Sequence, residues 1–81
     1  MYYVYILEDR NNKLYIGYSS DLKKRLISHA SGTTYTTKRM NQPQLVYYEA
    51  YSTEQLARNR ESKLKQFGSS YAGLLKRLGL K

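Results

Sequence analysis

The chain of 81 residues has no cysteine, no tryptophan, one histidine and only six aspartates and glutamates. Without thiols there is no disulfide framework, no thiolate nucleophile and no cysteine-ligated zinc or iron–sulfur centre. One imidazole excludes histidine-rich metal sites and a paired-histidine acid–base mechanism. The few carboxylates are scattered along the chain and do not read as a dense acidic two-metal cluster. Long apolar runs are also missing. The opening stretch Met1-Tyr2-Tyr3-Val4-Tyr5-Ile6-Leu7 meets Glu8 and Asp9 after seven residues. That is too short for a signal-peptide core or a membrane span, and no basic leader precedes it. The expectation is one small soluble cytoplasmic domain over residues 1–81, with no membrane partner. Its stability should be modest, because a chain this short buries only about 60% of its unfolded surface.

Positive charge and tyrosine are abundant. Fourteen Lys and Arg give a formal net charge of +8, and ten of the eleven aromatic residues are tyrosine. Such a balance favours a polyanionic partner. The charge is uneven: residues 1–20 are net neutral, residues 21–50 carry +3 and residues 51–81 carry +5.

Tyr3 to Leu7 and Leu14 to Tyr18 are short runs rich in β-branched and aromatic residues, joined by the polar stretch Glu8 to Lys13. They read as a hairpin. Period-2 alternation puts Tyr3, Tyr5 and Leu7 on one face, opposite Val4 and Ile6, and lets Tyr15 and Gly17 share a face. Gly17 inside a strand suggests a bulge or the close approach of another backbone. Ser19-Ser20-Asp21 supplies an N-cap for a helix to about Ser31, with Gly32 beyond and Leu22, Leu26 and Ile27 as its core stripe. Gly32 to Gln42 is a polar loop. Pro43 opens a third strand, Gln44 to Tyr51, with Leu45, Tyr47, Glu49 and Tyr51 on one face. Ser52-x-x-Gln55 is a capping-box pattern for a second helix ending near Phe67-Gly68, with Leu56, Ala57, Leu64 and Phe67 as its stripe. Ser69 or Ser70 caps a last helix whose Tyr71, Leu74, Leu75 and Leu78 follow helical spacing. The order β-β-α-β-α-α predicts a small α+β fold with a three-stranded, mostly antiparallel sheet.

Several residues carry two readings at this point. Tyr5 and Tyr15 are good strand formers whose rings pack, or phenols aimed at a reacting group; ionising one near neutrality needs a cation nearby, since the reference pKa is about 10. Arg25 and His29, one helical turn apart, are a solvated helix face or a guanidinium and an imidazole reaching one phosphate. Arg60 falls near the middle of the second helix's stripe and Glu61 at its border, so both charges need a reason. For Glu61 that reason is an ion pair with Arg58 or Lys65, or a role as ligand to Mg²⁺ amid excess positive charge.

Taken in order, Tyr3-Val4-Tyr5, Tyr15-Ile16-Gly17, Arg25, His29 and Glu61 resemble a GIY-YIG nuclease domain, in particular its short stand-alone members. The resemblance runs from Tyr2 to about Phe67 through YVYIL, LYIGYSSDLKKRLISHASG, QPQLVYYEAY and ARNRESKLK. It implies that Tyr5 is the last tyrosine of the first motif, Tyr15 the first of the second, Arg25 the helix arginine, His29 the position one turn on, and Glu61 the metal-binding glutamate. Lys38 matches a further basic residue. Tyr3 stands where the first motif has glycine, and no asparagine follows Asn59 in this sequence.

The resemblance implies phosphodiester hydrolysis with one divalent ion, Mg²⁺ or Mn²⁺, held by Glu61. Arg25 would stabilise developing charge, Tyr5 would be the leading candidate base with His29 beside it, and Tyr15 would orient water or phosphate. Lys23, Lys24, Lys38, Arg39, Arg60 and Lys65 are the expected backbone contacts on nucleic acid, DNA ahead of RNA, with a targeting protein as a further partner. Two other readings stay open: a nucleic-acid-binding module of the same fold with little turnover, and a basic assembly protein that binds an acidic protein.

Overall fold

The computed structural model of the protein describes residues 1–30 and 43–79, and for residues 28–30 the backbone alone. Its elements are β1 (Tyr2–Glu8), β2 (Leu14–Ser19), α1 (Leu22–Ala30), β3 (Gln44–Tyr51), α2 (Glu54–Lys65) and α3 (Ser69–Leu78). Among the described residues the order is the expected β-β-α-β-α-α. One sheet of order β2-β1-β3 forms, with both neighbours antiparallel to the central strand.

β1 is covered on both faces: Val4, Tyr5, Ile6 and Leu7 are each at most 1% exposed. This accounts for a near-continuous apolar run where a half-buried strand would alternate. Its turn into β2 is organised by Asp9, whose buried carboxylate accepts from the Asn11 amide (2.9 Å) and the Lys13 amide (2.8 Å). Asn12 takes the left-handed conformation there (φ 63), which its short polar side chain tolerates.

On one face of the sheet, Val4, Ile6 and Ile16 pack against Ala57 and Leu64 of α2 and Leu74 of α3. Tyr2, Leu14, Tyr18, Tyr47, Tyr51, Tyr71 and Leu78 close the edges of this core. On the other face, Leu22 and Leu26 of α1 border a groove with Tyr3 and Tyr48. α1 begins on a double cap. Ser19 Oγ accepts from the Asp21 amide at 3.0 Å, and Asp21 Oδ1 accepts from the Lys24 amide at 3.0 Å.

The structure corrects several details. Gly17 is neither a bulge nor a backbone crossing. The irregular pairing lies on β3, where Ile6 faces Tyr47 and Leu7 faces Leu45, so that Val46 is the extra residue. α2 is capped by Thr53, whose Oγ1 accepts from the Leu56 amide at 3.2 Å, rather than by Ser52. The N-cap of α3 is Gly68, and Ser69 is already helical. Ile27, Leu56 and Phe67 leave their expected stripes and are 63%, 50% and 64% exposed.

Candidate active site

Tyr5 sits at the centre of the site because β1 sits at the centre of the sheet. Antiparallel register sets Tyr5 opposite Gly17 and Leu7 opposite Tyr15. The two tyrosines therefore share a face on a diagonal, with ring centroids 6.3 Å apart and planes tilted by 50°. The Tyr5 ring extends over position 17, into the space that a Cβ there would occupy.

Three other predicted residues act on the Tyr5 phenol. Burial pushes its pKa well above the ordinary 10.0. Tyr15 adds to the rise through its proximity and a hydrogen bond, Arg25 opposes it, and Glu61 reinforces it. Tyr5, Tyr15, Arg25 and Glu61 thus form one electrostatic neighbourhood, although they come from β1, β2, α1 and α2. Arg25 reaches it from the first turn of α1. There it lines a polar pocket with Ser19, Ser20, Asp21 and Lys24. Glu61 is paired with Lys65 of the next turn, Nζ to Oε2 at 3.0 Å. Arg58, the other expected partner, pairs with Glu54 and lies over the Tyr18 ring.

The remaining predicted residues divide. Lys23 and Lys24 are exposed on α1, where Lys23 lines the groove and Lys24 the polar pocket. The backbone of His29 lies in α1, one turn beyond Arg25, and its side chain is outside the described residues. Lys38 and Arg39 also lie outside them. Arg60 does not join the basic surface. Its guanidinium grips Glu49 of β3 with three bonds, Nε to Oε1 at 3.0 Å and to Oε2 at 3.3 Å, and Nη2 to Oε2 at 3.1 Å. The Tyr47 and Tyr51 hydroxyls donate to the same carboxylate. The arginine in the middle of a core stripe is there to neutralise a carboxylate on the facing strand. The alternation that put Tyr47, Glu49 and Tyr51 on one face of β3 was the signal that α2 had to answer with a cation.

This strand and helix order, with a tyrosine motif on each strand of its hairpin, is that of a nuclease-superfamily domain. The GIY-YIG catalytic domain matches residues 1–73, and the chain belongs to that family. A UPF0213 protein of Staphylococcus saprophyticus is 37% identical over 67 residues, covering 82% of each chain. A UPF0213 protein of Streptococcus pyogenes is 38% identical over 65 residues, covering 79% of this chain and 71% of its own. In three dimensions the chain resembles the solution NMR structure of a UPF0213 protein from Bacillus halodurans. That likeness has a TM-score of 0.59 and 31% identity, over 96% of this chain and 85% of that one.

Proposed function

We propose that the protein is a divalent-metal-dependent nuclease that hydrolyses phosphodiester bonds of nucleic acid, DNA ahead of RNA as the candidate substrate. What supports this reading is the Tyr5–Tyr15 ring pair, with Arg25 and Glu61 near enough for their charges to bear on the Tyr5 phenol. The exposed Arg25 guanidinium binds phosphate oxygens and stabilises the charge that develops on them during the displacement. Tyr5, the candidate base, is held protonated through the neutral range by burial and is a hydrogen-bond donor in this state; it could accept a proton only once a cation near Glu61 lowers its pKa. Tyr15 orients it, and His29 is assigned to the same phosphate from its place one turn after Arg25. Lys23, Lys24 and Lys65 hold the flanking backbone.

The donor set suits a hard divalent ion. Among the described residues no group of three or more His, Cys, Asp or Glu converges. Glu61 would therefore hold Mg²⁺ or Mn²⁺ through one carboxylate, the arrangement common where substrate phosphates and water complete the shell. When bound, the ion supplies Lewis-acid stabilisation of the phosphate and offsets the Glu61 charge that raises the Tyr5 phenol.

The deciding experiment is a cleavage panel of linear and branched substrates with Mg²⁺ or Mn²⁺, run beside Arg25→Ala and Glu61→Gln. Each variant should lose about 10²–10³-fold in rate. Variants that cut as fast as wild type would overturn the assignment. A second reading is favoured by one observation: Lys65 already neutralises Glu61. In that reading the chain binds nucleic acid with little turnover, its affinity falls steeply with salt, and no metal produces cleavage.

A further inference from the structure

The one phenylalanine of the chain stands where a helix usually places glycine. Phe67 follows the C-cap of α2, Gln66, and takes the left-handed conformation with φ 56. Bulky residues rarely adopt this backbone, whereas glycine does so freely. Gly68, the next residue, sits at φ −90 and makes no use of that freedom. The turn itself needs no ring, because the Phe67 amide donates to the Leu64 carbonyl at 3.0 Å, as any residue's amide could.

Burial is not what this conformation achieves, since Phe67 is 64% exposed. Its ring meets Tyr71 edge to face, with centroids 4.9 Å apart and planes at 88°. Such a pair covers at most one face of either ring. Phe67 borders a recess of about 330 Å³ with Leu14, Tyr15, Ile16 and Lys65. Tyr15 is the diagonal neighbour of Tyr5, and Lys65 is the partner of Glu61. The recess therefore opens beside the candidate centre, apolar on its walls with one cation at its rim. It is complementary to a flat apolar body, and to an anion joined to it once Lys65 is released from Glu61.

We propose that this recess seats an unpaired base of the substrate strand, stacked on Phe67, next to the phosphate handled by Arg25 and Glu61. The proposal rests on the nucleic-acid reading above and narrows it. Inside a continuous duplex both faces of a base are covered by its neighbours, so the substrate class is nucleic acid with unpaired bases: a single strand, flap or branch.

The test is fluorescence anisotropy of the full chain with a short labelled single strand and with a duplex capped at both ends by a non-nucleotide linker, at one salt concentration. A parallel titration uses a strand carrying 2-aminopurine, whose emission is quenched on stacking. Phe67→Gly removes the ring and suits the left-handed backbone, while Phe67→Tyr keeps a stacking face. Expected are a roughly tenfold loss of single-strand affinity in Phe67→Gly, no loss on the capped duplex, and quenching by wild type and Phe67→Tyr alone. The melting temperature of Phe67→Gly should equal or exceed that of wild type. Unchanged single-strand binding by Phe67→Gly overturns the proposal and leaves the nucleic-acid reading standing. Equal loss on both substrates overturns the unpaired-base claim, and a lowered melting temperature assigns the ring to the fold instead. Self-association of wild type that Phe67→Gly abolishes gives the recess to a second copy. A wild type that binds neither substrate overturns the nucleic-acid reading itself.

Discussion

The Tyr5 ring fills the space that a side chain at position 17 would need. A Cβ added to Gly17 would collide with Cζ and the phenol oxygen of Tyr5 and stand 2.9 Å from Cε1. The glycine of the second tyrosine motif thus belongs structurally to the tyrosine of the first. Tyr5 is 1% exposed and held on all sides, so it cannot yield without moving its neighbours. Gly17→Ala should cost about 1–3 kcal/mol of stability by overpacking. It should also lower any cleavage rate by about 100-fold, because the phenol is displaced by a fraction of an ångström or more. Chemical denaturation and single-turnover cleavage check the two effects separately. An alanine variant with wild-type stability would mean that the ring has room elsewhere.

α2 offers a sharp contrast between two leucines that share a sequence stripe. Leu64 is fully buried against Val4, Ile6 and Ile16, whereas Leu56 is 50% exposed. Leu64→Ala should destabilise by about 2–5 kcal/mol, enough to leave a domain of this size largely unfolded on mild heating. Leu56→Ala should change stability by no more than about 0.5 kcal/mol. Paired thermal melts of the two variants check the assignment, and equal losses would contradict it.

The same contrast shows where sequence reasoning works here and where it stops. Alternation placed Tyr5 with Tyr15, and Tyr47 with Glu49 and Tyr51, because side chains on a strand must alternate whatever their neighbours are. Helical spacing brought out Leu64, Leu74 and Arg60 for a similar reason. Which residues on a stripe are covered depends on how wide the facing sheet is. Three strands shield Ala57 and Leu64 but not Leu56 or Phe67. The reason for Gly17 depends on cross-strand register, and that of Arg60 on a carboxylate eleven residues earlier. Neither follows from local pattern. The α2 cap was offset by one residue for a smaller reason: Ser52 and Thr53 offer equivalent hydroxyls, and backbone geometry chooses between them.

Glu49 ties β3 to α2 and makes stability depend on pH at both extremes. Burial pulls its pKa upward, but hydrogen bonds from Arg60, Tyr51 and Tyr47 outweigh burial and hold it below the ordinary 4.5. A carboxyl depressed by folding contributes stability that is complete above its unfolded value and is lost as pH falls through the folded one. Tyr47 and Tyr51 go the other way: burial first, then the Glu49 bond and charge, push both phenols up to about 12. Their contribution is complete below 10.0 and is lost as pH rises toward 12. Denaturation across pH should therefore show one loss below about 4.5 and another above about 10. Glu49→Gln should remove its share of the acid limb and reduce the alkaline one, where burial of Tyr47 and Tyr51 remains as the larger cause. At neutral pH it should cost about 2 kcal/mol, less than for a fully buried pair because both side chains keep some solvent. A variant that retains both limbs undiminished would place their origin elsewhere.

Lys65 occupies the Glu61 carboxylate at which the proposed divalent ion would bind. Its Nζ is 3.0 Å from Glu61 Oε2, and the side chains are 49% and 20% exposed, so the pair is screened by water. An exposed pair of this kind is worth about 0.2–1 kcal/mol, and an ion binding at Glu61 must displace it. Lys65→Met keeps most of the aliphatic stem and removes the competitor. Mn²⁺ affinity, read from broadening of amide resonances around Glu61, should rise up to about fivefold, which is the upper end of that range as a ratio. Nucleic-acid affinity without metal should move in the opposite direction. It should fall, with a salt slope shallower by about 0.7–0.9, because one phosphate contact is gone. Opposed shifts in one variant separate a lysine that guards the metal site from one that only binds backbone. If Mn²⁺ affinity is unchanged while nucleic-acid binding weakens, Glu61 is not the residue that holds the ion.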